Sequence, residues 1–173
     1  SLCALFALLF RRVTPNSRGA HGAPNGEQTL RIRLDGPRHI YDLANNAYLG
    51  EKRDYDARMR IDGLLCHALV PYRIEKPGLE ARTRKNAGGA MTIVCGATLH
   101  PKAAAAERQV IRFTLAAPDG KEWTDFAANV ISRNGAAAHT FVLPINAPAG
   151  EWKVAAREAI SGLEAEAVCA VSE

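Results

Sequence analysis

Between Pro148 and Val171 the chain reads PAGEWKVAAREAISGLEAEAVCAV, and no other stretch limits the possible folds so tightly. Trp152, Val154 and Ala156 alternate with Lys153, Ala155 and Arg157. Beyond Ser161-Gly162, the series Leu163, Ala165, Ala167, Cys169 and Val171 alternates with Glu164, Glu166, Val168 and Ala170. Successive side chains of a strand point to opposite faces, so this period predicts two strands joined by a turn, with Trp152 and Cys169 inward and the charges outward. A lone hairpin with one apolar face is marginal in water and needs a second layer over that face. The stretch therefore reads as the last hairpin of a β-sandwich.

The preceding hundred or so residues repeat the pattern. Strands are predicted at Leu79–Arg84, Met91–Leu99, Val110–Ala116, Phe126–Ser132, Thr140–Ile145, Trp152–Arg157 and Leu163–Val171. Turn signals separate them at Gly88-Gly89, Pro118-Asp119-Gly120, Asn134-Gly135 and Ala149-Gly150. Seven short strands at this cadence predict an immunoglobulin-like sandwich. The proline-marked link Glu75–Pro77 sets its start, dividing the chain into residues 1–76 and 77–173. Only Lys102–Arg108, KAAAAER, has helical propensity, enough for a turn of helix or a crossover.

The first half is also β in character. SLCALFALLF is followed by Arg11-Arg12, whereas a secretory signal carries its positive charge ahead of the apolar run and a membrane helix needs about 20 apolar residues. A buried strand is the expectation, with the abrupt apolar start marking a β-sandwich domain truncated at its N-terminus. Residues 13–28 are loop-like. Leu30, Ile32 and Leu34 alternate with Arg31 and Arg33, Asp35-Gly36-Pro37 predicts a turn, and Asn45-Asn46 predicts the next reversal. Glu51–Asp56 reads as a loop or a solvated edge, and Ala57–Ile61 with Leu64–Val70 as a further strand pair around Asp62-Gly63. The expected fold is all-β, with two β-sandwich domains.

Charge is uneven. Ser1–Asn86 holds 15 Lys/Arg against 9 Asp/Glu, while the remainder holds 7 against 9. The basic residues of the first half are dispersed along alternating segments, which predicts solvated strand faces and no nucleic-acid partner. The four cysteines, Cys3, Cys66, Cys95 and Cys169, show no CxxC spacing and no histidine at metal-ligand distance, so no metal and no cofactor are expected. Buried free thiols are the favoured reading, with Cys3/Cys66 or Cys95/Cys169 disulfides as the alternative.

Two stretches resemble a known arrangement. HIYDLANNAYLGEKRDYDARMRI, with Tyr41-Asp42 and Tyr48-Leu49-Gly50, leads to LLCHALVPYRI, with Ala68-Leu69-Val70-Pro71-Tyr72. This resembles the terminal β-domain of large bacterial glycoside-hydrolase-like proteins. VIRFTLAAPDGKEW and the residues from Asn129 to Val171 resemble the immunoglobulin-like module that follows it. Together these cover Arg31–Val171. The resemblance implies a secreted or cell-envelope accessory region, not an enzyme in itself, whose partner is an upstream catalytic domain of the same protein and whose possible ligand is a polysaccharide. It carries no catalytic residue onto this chain, and its turn motifs are generic to sandwich domains.

Direct searches for chemistry agree in direction. Asp54 and Asp56 are the one tempting acidic pair for glycoside cleavage, but nothing apolar adjoins them to raise a pKa. The five histidines lack i,i+2 or i,i+4 pairing, and nucleophile-elbow and phosphate-loop motifs are absent. Of two tryptophans, Trp152 is expected in the core. Trp123, in the turn after Pro118-Asp119-Gly120, is the single candidate ligand-binding residue, able to stack on a sugar or to dock on a neighbouring domain. The expected function is non-catalytic and structural, with a carbohydrate-binding module as the alternative and a small self-contained enzyme as the least favoured.

Overall fold

A computed structural model of the chain describes residues 5–9, 26–60, 65–101 and 108–172. Among them every regular element is a β-strand except one 3-10 turn at Thr124–Phe126, and the strands form three antiparallel sheets. The chain divides into two compact units, Ser1–Arg73 and Ile74–Glu173.

The first unit is a four-stranded sheet of β1 (Leu5–Leu9), β2 (Glu27–Asp42), β3 (Ala47–Arg60) and β4 (Leu65–Val70), in the order β1-β4-β2-β3. Its core lies on one face. Leu30 and Ile32 stand opposite Ala57 and Tyr55, and Met59, Ile40, Leu65 and Leu69 complete the cluster. The other face of the β2/β3 ribbon pairs Arg31 with Asp56 and Arg33 with Asp54. Opposite charges directly across an antiparallel ladder support the register, and a one-residue slip of β2 would bring Arg31 and Arg33 into the core.

Two expectations are corrected in this unit. Asp35-Gly36-Pro37 is not a reversal but a bulge inside β2. The ladder to β3 runs to Arg33↔Asp54 and resumes at Arg38↔Lys52, five steps along β2 against two along β3. Pro37 has no N–H to give to a ladder, and a bulge on a strand is where a sheet tolerates it. Likewise, β3 and β4 do not pair with each other around Asp62-Gly63. Instead β4 lies between β1 and β2, with His39↔Val70 and Ile40↔Leu69 in register. Burial is consistent with that order: Leu65, His67, Ala68, Leu69 and Val70 are all buried, whereas Glu51–Asp54 are exposed on β3. The charged run Glu51–Asp56 is thus a solvated edge. Charges along an edge strand also discourage pairing with other chains. Asn46, at φ 49, makes the β2–β3 reversal where it was expected.

The second unit is an immunoglobulin-like sandwich of seven strands. β5 (Gly78–Lys85), β6 (Met91–Thr98) and β9 (Ala136–Val142) form one sheet in that order. β7 (Val110–Ala116), β8 (Ala128–Ile131), β10 (Gly150–Glu158) and β11 (Glu164–Val171) form the other, ordered β11-β10-β7-β8. The fourth strand, β8, stays beside the third instead of crossing to the sheet of the first, as it does in the constant-type arrangement. Ile93, Cys95 and Phe141 from the three-stranded sheet and Ile111, Phe113, Leu115, Trp152 and Val154 from the four-stranded one are buried between them. Phe113 stacks on His139 across the layers with ring centroids 6.1 Å apart.

Strand positions follow the alternation, with one displacement. The fifth strand was expected at Thr140–Ile145 and lies at Ala136–Val142. Alanines are poor strand formers, yet Ala136, Ala137 and Ala138 are held by a continuous ladder to Thr98, Ala97 and Gly96. Pro144 ends the strand and leaves Ile145 almost wholly exposed. The fourth strand also begins later than Phe126, because Thr124–Phe126 is taken up by the 3-10 turn. The Asn134-Gly135 turn forms where expected, with both residues at positive φ, 51 and 75°. Lys102–Glu107, most of the expected helical segment, lies outside the described residues, as does Cys3.

Candidate functional site

Trp123 owes its position to a tightly bonded loop. After β7 the chain turns at Pro118-Asp119-Gly120, with Gly120 at φ 81, its N–H donating to Ala117 O at 2.9 Å and the Lys121 N–H donating to Asp119 Oδ1 at 2.9 Å. The loop then folds back along β7, and the Trp123 N–H donates to Leu115 O at 2.8 Å. This brings the indole over one end of the core. It meets Trp152 edge-on, with centroids 4.8 Å apart and planes at 84°, and Phe126 at 5.3 Å. The positive ring edge against the negative ring face is the favourable aromatic geometry. A hollow of about 310 Å³ lies beside the Lys121–Phe126 run. Trp123 is half-buried, so much of its surface is committed to Trp152 and Phe126 instead of standing clear as a platform.

Trp152 is fully buried and its Nε1–H donates to Pro148 O at 3.0 Å, satisfying the one polar atom of the ring. Two residues before it, Gly150 has φ 134, and a Cβ there would come within 2.9 Å of the Pro118 ring. At the far end of β10 the buried Glu158 closes the turn to β11. Its Oε1 accepts from the Ile160 N–H at 3.0 Å, and its Oε2 accepts from the Ser161 N–H and hydroxyl, each at 2.7 Å. Sequence alternation places Glu158 in the inward phase of Trp152, Val154 and Ala156, an unusual position for a carboxylate. The turn N–H groups hold it there, because a buried turn must satisfy its backbone donors.

The other candidates are dispersed. Asp54 and Asp56 sit on the exposed face of β3, Asp54 3.7 Å from Arg33, and contribute to the ladder. His67 is buried and shares a hydrogen bond of 2.9 Å with the Tyr55 hydroxyl. Burial lowers the His67 pKa, partly offset by the nearby Asp42 carboxylate. His139, in the ring stack of the second unit, is lowered by burial alone. His39 Nδ1 lies 2.7 Å from the Tyr48 hydroxyl, Tyr41 packs against the same ring at 5.0 Å, and the Arg73 guanidinium lies over it at 5.3 Å. This cluster ties the last residue of the first unit to its sheet. Cys66, Cys95 and Cys169 are free thiols; burial pushes the Cys95 pKa up to about 11, and its Sγ–H donates to His139 O. Among the described residues no three His, Cys, Asp or Glu side chains converge to hold a metal ion. No helix among them is long and apolar enough to cross a membrane.

One feature invisible to strand patterning is a groove of about 440 Å³ on the outer face of the four-stranded sheet, lined by residues of β7, β10, β11 and the Gly120–Glu122 loop. Its floor is Thr114 and Ala155, opposite each other in the ladder, and Arg112 and Arg157 form the next row. The outward phase of Arg157 is legible in its strand, but its neighbour is 45 positions earlier, and register between distant strands is set by tertiary pairing. An outward Arg112 followed by the outward, small Thr114 in VIRFTLA was the available signal.

Comparison with protein-family models and with curated protein sequences finds no match to this chain.

Proposed function

We propose that the chain is a non-catalytic accessory region of a bacterial carbohydrate-active enzyme, secreted or held at the cell envelope, whose β-domains brace an upstream catalytic domain or mediate its assembly. The observation that carries this reading is the use made of the groups a sugar-cleaving site would need. Asp54 faces Arg33, Glu158 caps the final hairpin, and Trp123 seals one end of the sandwich against Trp152. The motifs around Tyr48-Leu49-Gly50 and Ala68–Tyr72, and the PDG and PAG-W turns, support the same reading by their resemblance to terminal modules of glycoside-hydrolase-like proteins.

Deletion of Gly78–Glu173 from the intact parent enzyme tests it. The expected result is loss of activity or thermal stability of the catalytic domain; unchanged activity and stability would sink the reading. The isolated chain should turn over no member of a glycoside panel. A carbohydrate-binding module is the second reading, favoured by the groove on the outer face of the four-stranded sheet.

A further inference from the structure

The groove has a feature that the fold does not require. Arg112 and Arg157 are directly opposite on adjacent strands and both point outward. Like charges so placed repel and weaken a ladder. Among the described residues neither has a carboxylate within 4.0 Å, even though Glu164 occupies the same row on β11. The neighbouring lysine behaves differently: Lys153 is paired with Glu166 at 3.2 Å. Two guanidinium groups thus stand free beside a hollow floored by small side chains. Ala155 is only 9% exposed although it faces outward, because the long charged side chains around it wall it in.

The other groups define what can enter. Glu122, Glu164 and Glu166 line the same groove, so it balances three cationic residues with three anionic ones. Nucleic-acid backbones and polyphosphate present mainly anionic acceptors and few hydroxyl donors, so they would leave those carboxylates without partners. No aromatic residue lines the groove, so a neutral sugar would find no stacking platform. The matching ligand carries one carboxylate for the arginine pair and several hydroxyls that can donate to Glu122 and Glu166. Arginine's planar fork takes a carboxylate through two parallel hydrogen bonds. The volume lies in the range of small-ligand sites and accommodates a sugar residue or two.

We propose that this groove binds a uronic-acid unit of an acidic polysaccharide, with the carboxylate between Arg112 and Arg157 and the ring over Thr114 and Ala155. The proposal deepens the carbohydrate-associated reading given above and rests on it for the class of polymer. Its test is separate, because it needs only this chain and measures binding.

The ¹⁵N-labelled chain is titrated with trigalacturonate, with neutral galactotriose and with hexa-aspartate. Expected are saturable shifts at the amides of Arg112, Thr114, Ala155 and Arg157 with trigalacturonate alone. Arg112→Ala and Arg157→Ala should each weaken binding about tenfold or more, the loss typical of a charge-assisted hydrogen bond. Arg133→Ala, outside the groove, should leave it unchanged. In the absence of sugar, Arg112→Ala should unfold at the same temperature as the parent chain or slightly above it, since it relieves repulsion. Absence of shifts, equal binding of galactotriose, or equal binding of hexa-aspartate at the same amides would each overturn the assignment, the last in favour of an acidic-peptide site. A destabilised Arg112→Ala would also overturn it, by showing that the arginine serves the fold. If the deletion of Gly78–Glu173 is silent while trigalacturonate binds, the bracing role fails and the groove stands; the reverse pair of results separates them the other way.

Discussion

The two units solve the same problem, how to keep one face of a sheet dry, by different means. In the second, two sheets close on each other and bury Trp152, Phe113, Phe141, Ile93 and Leu115 completely. In the first, a single described sheet holds a smaller cluster in which Leu30, Ile32, Leu34 and Leu49 remain partly exposed and a hydrogen-bonded Tyr55–His67 pair occupies buried space. The contrast teaches where each unit is vulnerable. The sandwich depends on large apolar volumes that nothing else can fill, and the first unit on a buried polar pair and a charge-matched ribbon.

Substitutions can break that comparison. The largest effect is expected from Trp152→Ala, which removes the largest buried side chain and the partner of Trp123; about 3–5 kcal/mol should be lost in denaturant unfolding, confined to the second unit. A loss below about 1 kcal/mol would mean that Trp152 is not the centre of its core. Glu158→Gln should cost about 1.5–3 kcal/mol, because hydrogen bonds to a charged acceptor are replaced by weaker ones in a buried turn. Slower amide exchange than wild type at Ile160 and Ser161 would contradict that role.

The first unit should respond to a different lesion. Tyr55→Phe preserves volume but deprives His67 of its partner, and about 1–3 kcal/mol should disappear from the unfolding of residues 26–73 with the second unit unaffected. Acid should weaken both units. Burial lowers the pKa of His67 and His139 in the fold, while in the unfolded chain they titrate near 6.5. The unfolded state therefore binds more protons below that pH. Stability is complete above about pH 6.5 and falls as the pH drops below it, which denaturant midpoints at pH 7.5 and 5.5 will show. Replacing both histidines by Gln should flatten that segment of the profile. The smallest effect belongs to Arg33→Ala. Its pair with Asp54 is long and solvent-exposed, and about 0.5 kcal/mol or less is expected.

The same contrast explains what was readable in the sequence. Seven strands of the sandwich could be counted because most of them alternate a more buried face with a more exposed one, and the strongest alternation, Trp152–Arg157 with Ala165–Val171, lies where both chemistry and pairing agree. The fifth strand was displaced because Ala136–His139 lacks β-formers and is held by its ladder to β6. In the first unit, Asp35-Gly36-Pro37 carries the same residues as a true turn, and only continued pairing on both sides marks it as a bulge. The position of β4 between β1 and β2 rests on its ladders to both and goes with burial on both faces, which the six residues LCHALV do not reveal by period alone. At the site, the sequence shows Trp123 only as a tryptophan following the Pro118-Asp119-Gly120 turn, and its edge-on contact with Trp152 and the opposition of Arg112 to Arg157 arise from pairings across tens of residues. Local pattern contains no such information.

The contact between Gly150 and Pro118 also has an evolutionary consequence. These residues belong to two turns 32 positions apart in the chain, yet a single methyl at one would strike the ring of the other. Drift at the two positions is therefore ordered. A lineage that gives up Pro118 gains room at Gly150, although the positive φ still penalises most replacements there, whereas one that changes Gly150 first meets both obstacles together. Among distant descendants of this sequence, the proline should be lost before the glycine.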